Sequence, residues 1–184
     1  MIWKIIAFLV TTASLIYISR TPLREPRSHG FYRFFSWEFI LLLFLRNVEN
    51  WFIRPFAWFQ VISWILLIVS IIPVVWGTVL LRQYGKPVPQ RTEDPNLLTF
   101  ENTTQLVTTG IYRYIRHPLY SSLLLLAWGI FFKAPSWLGG VLAGATTLFL
   151  TLTALAEEAE CIRFFGPAYK VYMQTTRRFL PFVF

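Results

Sequence analysis

PLYSSLLLLAWGIFFKAPSWLGGVLAGATTLFLTLTALAEE, residues 118 to 158, decides the fold. It holds two apolar runs, Pro118 to Phe132 and Trp137 to Ala156, separated only by Lys133-Ala-Pro-Ser136, a tight-turn composition. As helices the two arms are about 22 to 30 Å long at 1.5 Å per residue. They form a helical hairpin whose ends return to one membrane face. His117 and Pro118 at its start and Glu157 and Glu158 at its exit, 40 positions on, therefore become neighbours at one lip.

The rest of the chain is composed for a bilayer. Of 184 residues, 55% are hydrophobic and only 14% charged, against about a quarter charged in soluble domains. Eighteen Phe and eight Trp suit lipid and headgroup contacts. A formal charge of +8 would point to nucleic acid in a soluble protein, but the aromatic residues lie within apolar runs rather than on a basic polar surface, which argues against it. Cys161 is the only cysteine, so no internal disulfide forms, and one cysteine with two distant histidines gives no zinc-ligand spacing. Neither GxxxxGK[ST] nor GxGxxG occurs. The run Gly139-Gly140-Val-Leu-Ala-Gly144 reads instead as a surface for close helix packing.

Three spans precede the hairpin. Ile2 to Ser19 lacks a cleavage pattern and is followed by its positive charges, so it reads as an uncleaved anchor. About Phe34 to Leu45 falls short of the roughly 20 residues a spanning helix needs and contains Glu38. It extends back to Phe31 or on through Val48, or only dips into the membrane. About Pro55 to Leu81 spans with tilt and kinks at Pro73. The polar segment Arg82 to Thr109 carries Pro87, Pro89 and Pro95 with Glu93-Asp94, which disfavours a regular helix. Asn102-Thr103-Thr104 is formally a glycosylation sequon, inert on a cytoplasmic face.

With the first N-terminus outside, segments 20–33, 82–117 and 157–184 share one side and hold thirteen of the seventeen Lys and Arg. Only Lys4, Arg46, Arg54 and Lys133 lie opposite. That bias makes the lip side cytoplasmic. The expected architecture is an all-α integral membrane protein of about five transmembrane helices, with a C-terminal helical hairpin and interfacial C-terminal helices. It forms one multi-pass membrane domain over 1–184, with N-terminal spans in 1–81 and a cofactor-binding half in 82–184.

The lip residues form a chemical set. Pro118 suits the first turn of a helix, whose free N–H groups, beside Arg116 and His117, favour a carboxylate. Glu157 and Glu158 opposite accept hydrogen bonds from an ammonium or from ribose hydroxyls. Tyr112, Tyr114 and Tyr120 cover an aromatic ring or a cation. S-adenosylmethionine carries all of these groups. Taken singly, Arg113 and Arg116 read as headgroup anchors, Glu157-Glu158-Ala-Glu160 as a solvated helical turn, and the tyrosines as an aromatic belt. Their joint placement favours a site.

The pieces LVTTGIY (106–112), RHPLY (116–120), Glu157-Glu158, FGPAYKVY (165–172) and LPF (180–182) together resemble the isoprenylcysteine carboxyl methyltransferase family, whose superfamily includes the phospholipid N-methyltransferases. The likeness covers about residues 104 to 182. It implies an S-adenosylmethionine-dependent methyltransferase with a cytoplasm-facing cofactor pocket, whose lipid-like or prenylated acceptor enters from the bilayer, without metal. By position it implies cofactor contacts at Gln105, Leu106, Val107, Tyr112, His117, Pro118, Leu119, Tyr120 and Glu157. Arg116 and Glu158 are the candidate catalytic residues, with Glu158 or Glu38 as proton acceptor for an amine. Cys161, where the family usually has leucine, is a packing residue.

One position departs from the pattern. Prenylcysteine-directed members carry an arginine one helical turn before the first of these glutamates, where this chain has Thr153. A neutral side chain cannot neutralise a carboxylate in low dielectric, which favours an amine-headed or other lipid-like acceptor. A reductase, or a non-catalytic protein on the related fold, is the alternative. Ile162, Phe165, Tyr169 and Tyr172 at helical spacing, interrupted by Gly166-Pro167, predict two short interfacial helices lidding the pocket.

Overall fold

A computed structural model describes residues 2–87 and 103–181, and among these the chain has no strand. Six α-helices follow in order: α1 (Ile2–Ile18), α2 (His29–Asn47), α3 (Trp58–Tyr84), α4 (Pro118–Phe131), α5 (Trp137–Phe165) and α6 (Pro167–Thr175). Pro89, Arg91, Glu93, Asp94, Pro95, Asn102 of the sequon, and Phe182 of the last motif lie outside the described residues.

Two helices differ from expectation, each for a local reason. α2 starts at His29 because Ser28 caps it, its Oγ accepting from the Phe31 N–H at 3.1 Å. Its first turns carry buried His29 and Arg33, so polarity hides them from an apolar-run reading. α5 starts under a similar cap, Ser136 Oγ accepting from the Gly139 N–H at 3.2 Å. It then runs through Glu157 and Glu158 to Phe165 instead of ending near Ala156. Glu and Ala are good helix formers, and the helix stops only at Gly166, where φ is +61°. The first of the two expected interfacial helices is therefore the end of α5, and α6 alone is separate.

α3 and α5 are long and apolar enough to cross a bilayer, whereas α1 and α4 are shorter apolar helices. α3 continues through Pro73 and turns Ile65, Ile68, Ile72 and Val75 outward. No residue of α1 is buried, and Thr12 Oγ1 donates to Glu38 Oε2 on α2 at 2.9 Å. That bond places Glu38 at the α1–α2 contact rather than among the lip residues, against its expected role as a base.

The centre of the bundle is small-residue packing of α3 on α4. A Cβ on Gly129 would lie 2.9 Å from the Leu67 side chain and 3.2 Å from its backbone N. Ser63 Oγ donates to the Gly129 carbonyl at 2.7 Å. The expected packing run on α5 is used only at its start: Gly139 lies against Phe131, while a Cβ on Gly144 would meet nothing within 4 Å. Leu43, Ala127, Ile130 and Ala143 fill one core, and Tyr120, Leu150, Ala154 and Phe179 another. Each fully buried leucine there is worth about 1.5–3 kcal/mol.

The closed end of the hairpin buries Lys133. Its ammonium lies 3.4 Å from the Trp64 ring centroid and donates to Gln60 Oε1 at 3.1 Å. At the open end the C-terminal tail crosses the lip. Arg116 and His117 N–H groups donate to the Arg177 and Arg178 carbonyls at 2.7 and 3.1 Å, and the Arg177 N–H to the Tyr114 carbonyl at 3.0 Å.

Candidate active site

Five chain segments meet at this open end: the end of α3, residues 103–107, residues 112–120 entering α4, the last turns of α5, and α6. Between them lies a partly open, mostly apolar pocket with a few converging polar groups, the make-up of a small-molecule site. Gly77 lets α3 approach its floor, since a Cβ there would lie 3.0 Å from Pro118. Gly110, at φ +60°, turns the wall against Leu80. Tyr172 Oη fixes α6 by donating to the Tyr112 carbonyl at 2.7 Å.

Leu106, Val107, Tyr112, His117, Pro118, Leu119, Tyr120 and Glu157 all line this pocket, as does Arg116. Gln105 does not: its side chain is exposed, and it contributes a backbone N–H to the Gly85 carbonyl at 3.1 Å. Tyr114, expected with the ring-covering tyrosines, is half exposed and lines a separate pocket with Arg113 and Arg177. Cys161, Phe165, Tyr169 and Tyr172 complete the far wall, so α6 does close the pocket, as a wall rather than a flap.

His117 is the centre of the polar wall. Its Nδ1 lies 3.2 Å from Glu157 Oε2 and its Nε2 3.5 Å from Glu158 Oε1, while its ring stacks on Tyr120 at 5.5 Å. Burial opposes charge on this imidazole, but the two carboxylates outweigh it and hold its pKa above the ordinary 6.5. Neither His117 Nε2 nor Glu157 Oε2 has a well-aligned hydrogen bond, although both are buried. Such leftover polarity has a cost unless a ligand meets it.

Glu158 behaves differently from its neighbour. It does not line the pocket. Arg116 Nε donates to its Oε1 at 2.9 Å, and Arg178 Nη2 to its Oε2 at 3.0 Å. Arg116 also donates to the Met173 carbonyl at 3.3 Å and to the Thr176 carbonyl. Two guanidiniums on one buried carboxylate make a clamp, which binds the tail to α5 and leaves no oxygen of Glu158 facing the pocket. The expected proton-acceptor role meets this geometry badly. Thr153 is fully buried and donates to the Phe149 carbonyl at 2.7 Å, so no positive group occupies its position.

One carboxylate was missed from sequence. Glu160 lines the pocket beside Glu157, and its side chain is only 9% exposed, not a solvated turn. The His29 backbone N–H donates to its Oε1 at 3.2 Å and His29 Nδ1 pairs with its Oε2. The i, i+3 spacing of Glu157 and Glu160 was available as a signal for a shared face. The partner 131 positions away was not.

The chain is similar to known proteins. The family profile for phospholipid methyltransferases matches residues 58–168. A methanethiol S-methyltransferase of Crocosphaera subtropica is 29% identical over 76 residues, 41% of this chain and 29% of that protein. A probable protein-S-isoprenylcysteine O-methyltransferase of Oryza sativa subsp. indica is 29% identical over 124 residues, 65% of this chain and 63% of that protein. The chain thus spans less than two thirds of the length of either relative. The profile match covers well over half of the 184 residues, from the start of α3 to the start of α6, and the chain belongs to the phospholipid methyltransferase family.

Proposed function

We propose that the pocket binds S-adenosylmethionine and that the protein transfers its methyl group to a lipid-like acceptor reaching the site from the bilayer. The observation that carries this reading is the buried imidazole–carboxylate pair of His117 and Glu157 in the pocket wall, in which His117 Nε2 and Glu157 Oε2 lack an aligned hydrogen bond. Imidazolium and carboxylate side by side suit a zwitterionic ligand. The first turn of α4, opened by Pro118, offers N–H groups to a carboxylate, and Tyr112 and Tyr120 offer ring faces to a cationic centre.

The bound cofactor supplies an already activated methyl group on a sulfonium. The protein then has two tasks, alignment and exclusion of water. Leu81, Leu106, Val107 and Leu119 make the inner walls apolar, and Tyr169 and Tyr172 close the α6 side. Arg116 and Glu158 hold the tail across the lip, and so set the position of His117, which follows Arg116 directly. Residues 1–81 supply membrane spans and 82–184 the cofactor half. The N-terminus lies outside and the lip is cytoplasmic in a five-span topology, supported by the charge asymmetry and the outward apolar faces of α1 and α3.

Methyl-labelled S-adenosylmethionine incubated with the purified protein and total membrane lipid tests the activity. Label in a lipid fraction is the expected result. Thermal stabilisation by NADPH, with neither stabilisation by S-adenosylmethionine nor label in any fraction, overturns the proposal in favour of a reductase.

A further inference from the structure

Two segments cross at the lip, 113–117 and 176–179, and each carries two arginines. They are pinned side by side. The Arg177 N–H donates to the Tyr114 carbonyl at 3.0 Å and the Arg116 N–H to the Arg177 carbonyl at 2.7 Å, a parallel bridge between Ile115 and Arg177. This arrangement sorts the four guanidiniums onto two faces. On the inner face Arg116 and Arg178, one from each segment, share the Glu158 carboxylate. On the outer face Arg113 and Arg177, again one from each, line the second pocket with Tyr114, Gln174 and Thr175. Both are exposed, no acidic residue lines that pocket, and neither guanidinium meets a carboxylate among the described residues. Arg113, which read singly as a headgroup anchor beside Arg116, is instead paired by the fold with Arg177.

Two like charges held at one pocket by a fixed backbone repel each other. The inner pair is offset by Glu158; the outer pair has no such anion from the described chain. One role within the fold would be to meet the C-terminus of α6, where cations are favourable. Those carbonyls have other partners. The Thr175 and Thr176 hydroxyls donate to the Tyr172 carbonyl at 3.1 and 2.8 Å, and Arg116 donates to the Met173 carbonyl at 3.3 Å. Arg113 and Arg177 therefore keep their donors for something outside the chain. Guanidinium forks suit phosphate oxygens, and the exposed Gln174 adds a neutral amide donor. The level also fits. α3, long and apolar enough to cross a bilayer, ends at Tyr84 on this side, and α4 starts here at Pro118. Half-exposed Tyr114 has the amphipathic ring of a membrane interface.

We propose that Arg113 and Arg177 form a phosphate-binding site, and that the phosphate is that of a membrane lipid headgroup. The site shares no lining residue with the cofactor pocket and does not depend on the methyltransferase reading. A bound headgroup bridges the two segments from outside as Glu158 bridges them from inside. It thereby tightens the strap on which Arg116 and His117 stand.

The test measures calorimetric binding to the purified full chain in an uncharged detergent. The probes are dioctanoyl phosphatidylglycerol, dioctanoylglycerol, which lacks the phosphate, and inorganic phosphate. Wild type is compared with Arg113→Gln, Arg177→Gln, the double variant and Lys170→Gln, an equal charge change on the exposed side of α6 outside the pocket. Melting temperatures without lipid show that each variant folds. Phosphatidylglycerol should bind wild type more tightly than dioctanoylglycerol does. Each arginine variant should weaken it about fivefold, the worth of one cation at an anionic surface, and the double variant about 20-fold. Lys170→Gln should stay within about twofold of wild type. Phosphatidylglycerol binding by the double variant within twofold of wild type overturns the proposal. A loss in Lys170→Gln equal to that in Arg113→Gln makes the effect diffuse surface charge and overturns it too. Inorganic phosphate binding as tightly as the lipid, and lost in the double variant, keeps the phosphate site and overturns its assignment to a lipid.

Discussion

The two ends of the α4–α5 hairpin both bury charge, and they do it in opposite ways. At the closed end a single ammonium, Lys133, is enclosed by the Trp64 and Trp51 rings, Gln60 Oε1 and the Trp51 carbonyl. Gln60 and Asn47 then tie the Lys133 and Ile130 carbonyls to α3 and α2. Among the described residues, no buried side-chain polar atom at that end lacks a hydrogen bond. At the open end Arg116, Arg178, His117 and His29 face Glu157, Glu158 and Glu160, yet His29 Nε2, His117 Nε2 and Glu157 Oε2 lack an aligned hydrogen bond. Residual polarity beside a pocket, rather than buried charge as such, separates the working end from the structural one.

Breaking the clamp should have the largest effect. Glu158→Ala leaves two guanidiniums without their carboxylate, a loss of about 3–5 kcal/mol for a disrupted buried pair. Thermal unfolding in detergent should show a destabilised protein with its tail released. Next comes Lys133→Met at the other end. It removes the cation–π contact and leaves Gln60 Oε1 open, costing about 1–3 kcal/mol, and S-adenosylmethionine affinity should not change. Altered affinity in that variant would erase the distinction between the ends. Gly110→Ala is expected to cost about 1–2 kcal/mol for a side chain at φ +60°, plus the shift of Leu80. Because Leu80 packs against Val107 and Tyr112 of the pocket wall, cofactor affinity should fall with stability.

The working end should respond to pH through His117. Its pKa is raised in the folded state, so its contribution to stability is complete below the ordinary 6.5 and is lost as pH rises through the higher folded value. Melting temperature should fall across that alkaline limb in wild type and less so in His117→Gln. The smallest effect is expected from Gln105→Ala, whose exposed side chain stands outside the pocket. Cofactor affinity should stay within about twofold.

Much of the site was legible because it is local. RHPLY carries the helix start, the imidazole and the stacking ring within five positions, and the hairpin length sets Glu157 opposite them. What escaped was tertiary. The Glu158 clamp depends on Arg178, 20 positions away, and Arg116, 42 away, so a residue that looks like a base in sequence is a structural anion in the fold. Glu160 looked like a solvated turn because its partner lies at the start of α2. That helix start was itself hidden, since His29 and Arg33 interrupt the apolar pattern while being buried. In the same way the polar letters after Ala156 read as a helix end, although their propensity carries α5 on to Gly166.

Isothermal titration of S-adenosylmethionine into the purified protein in detergent, beside His117→Ala, Glu157→Ala and Lys133→Met, tests the central claim most directly. The expected result is binding by wild type and Lys133→Met that falls by about tenfold or more in His117→Ala and Glu157→Ala, each of which removes a polar wall group. Equal binding by all four proteins would contradict the assignment of the open end as the cofactor site.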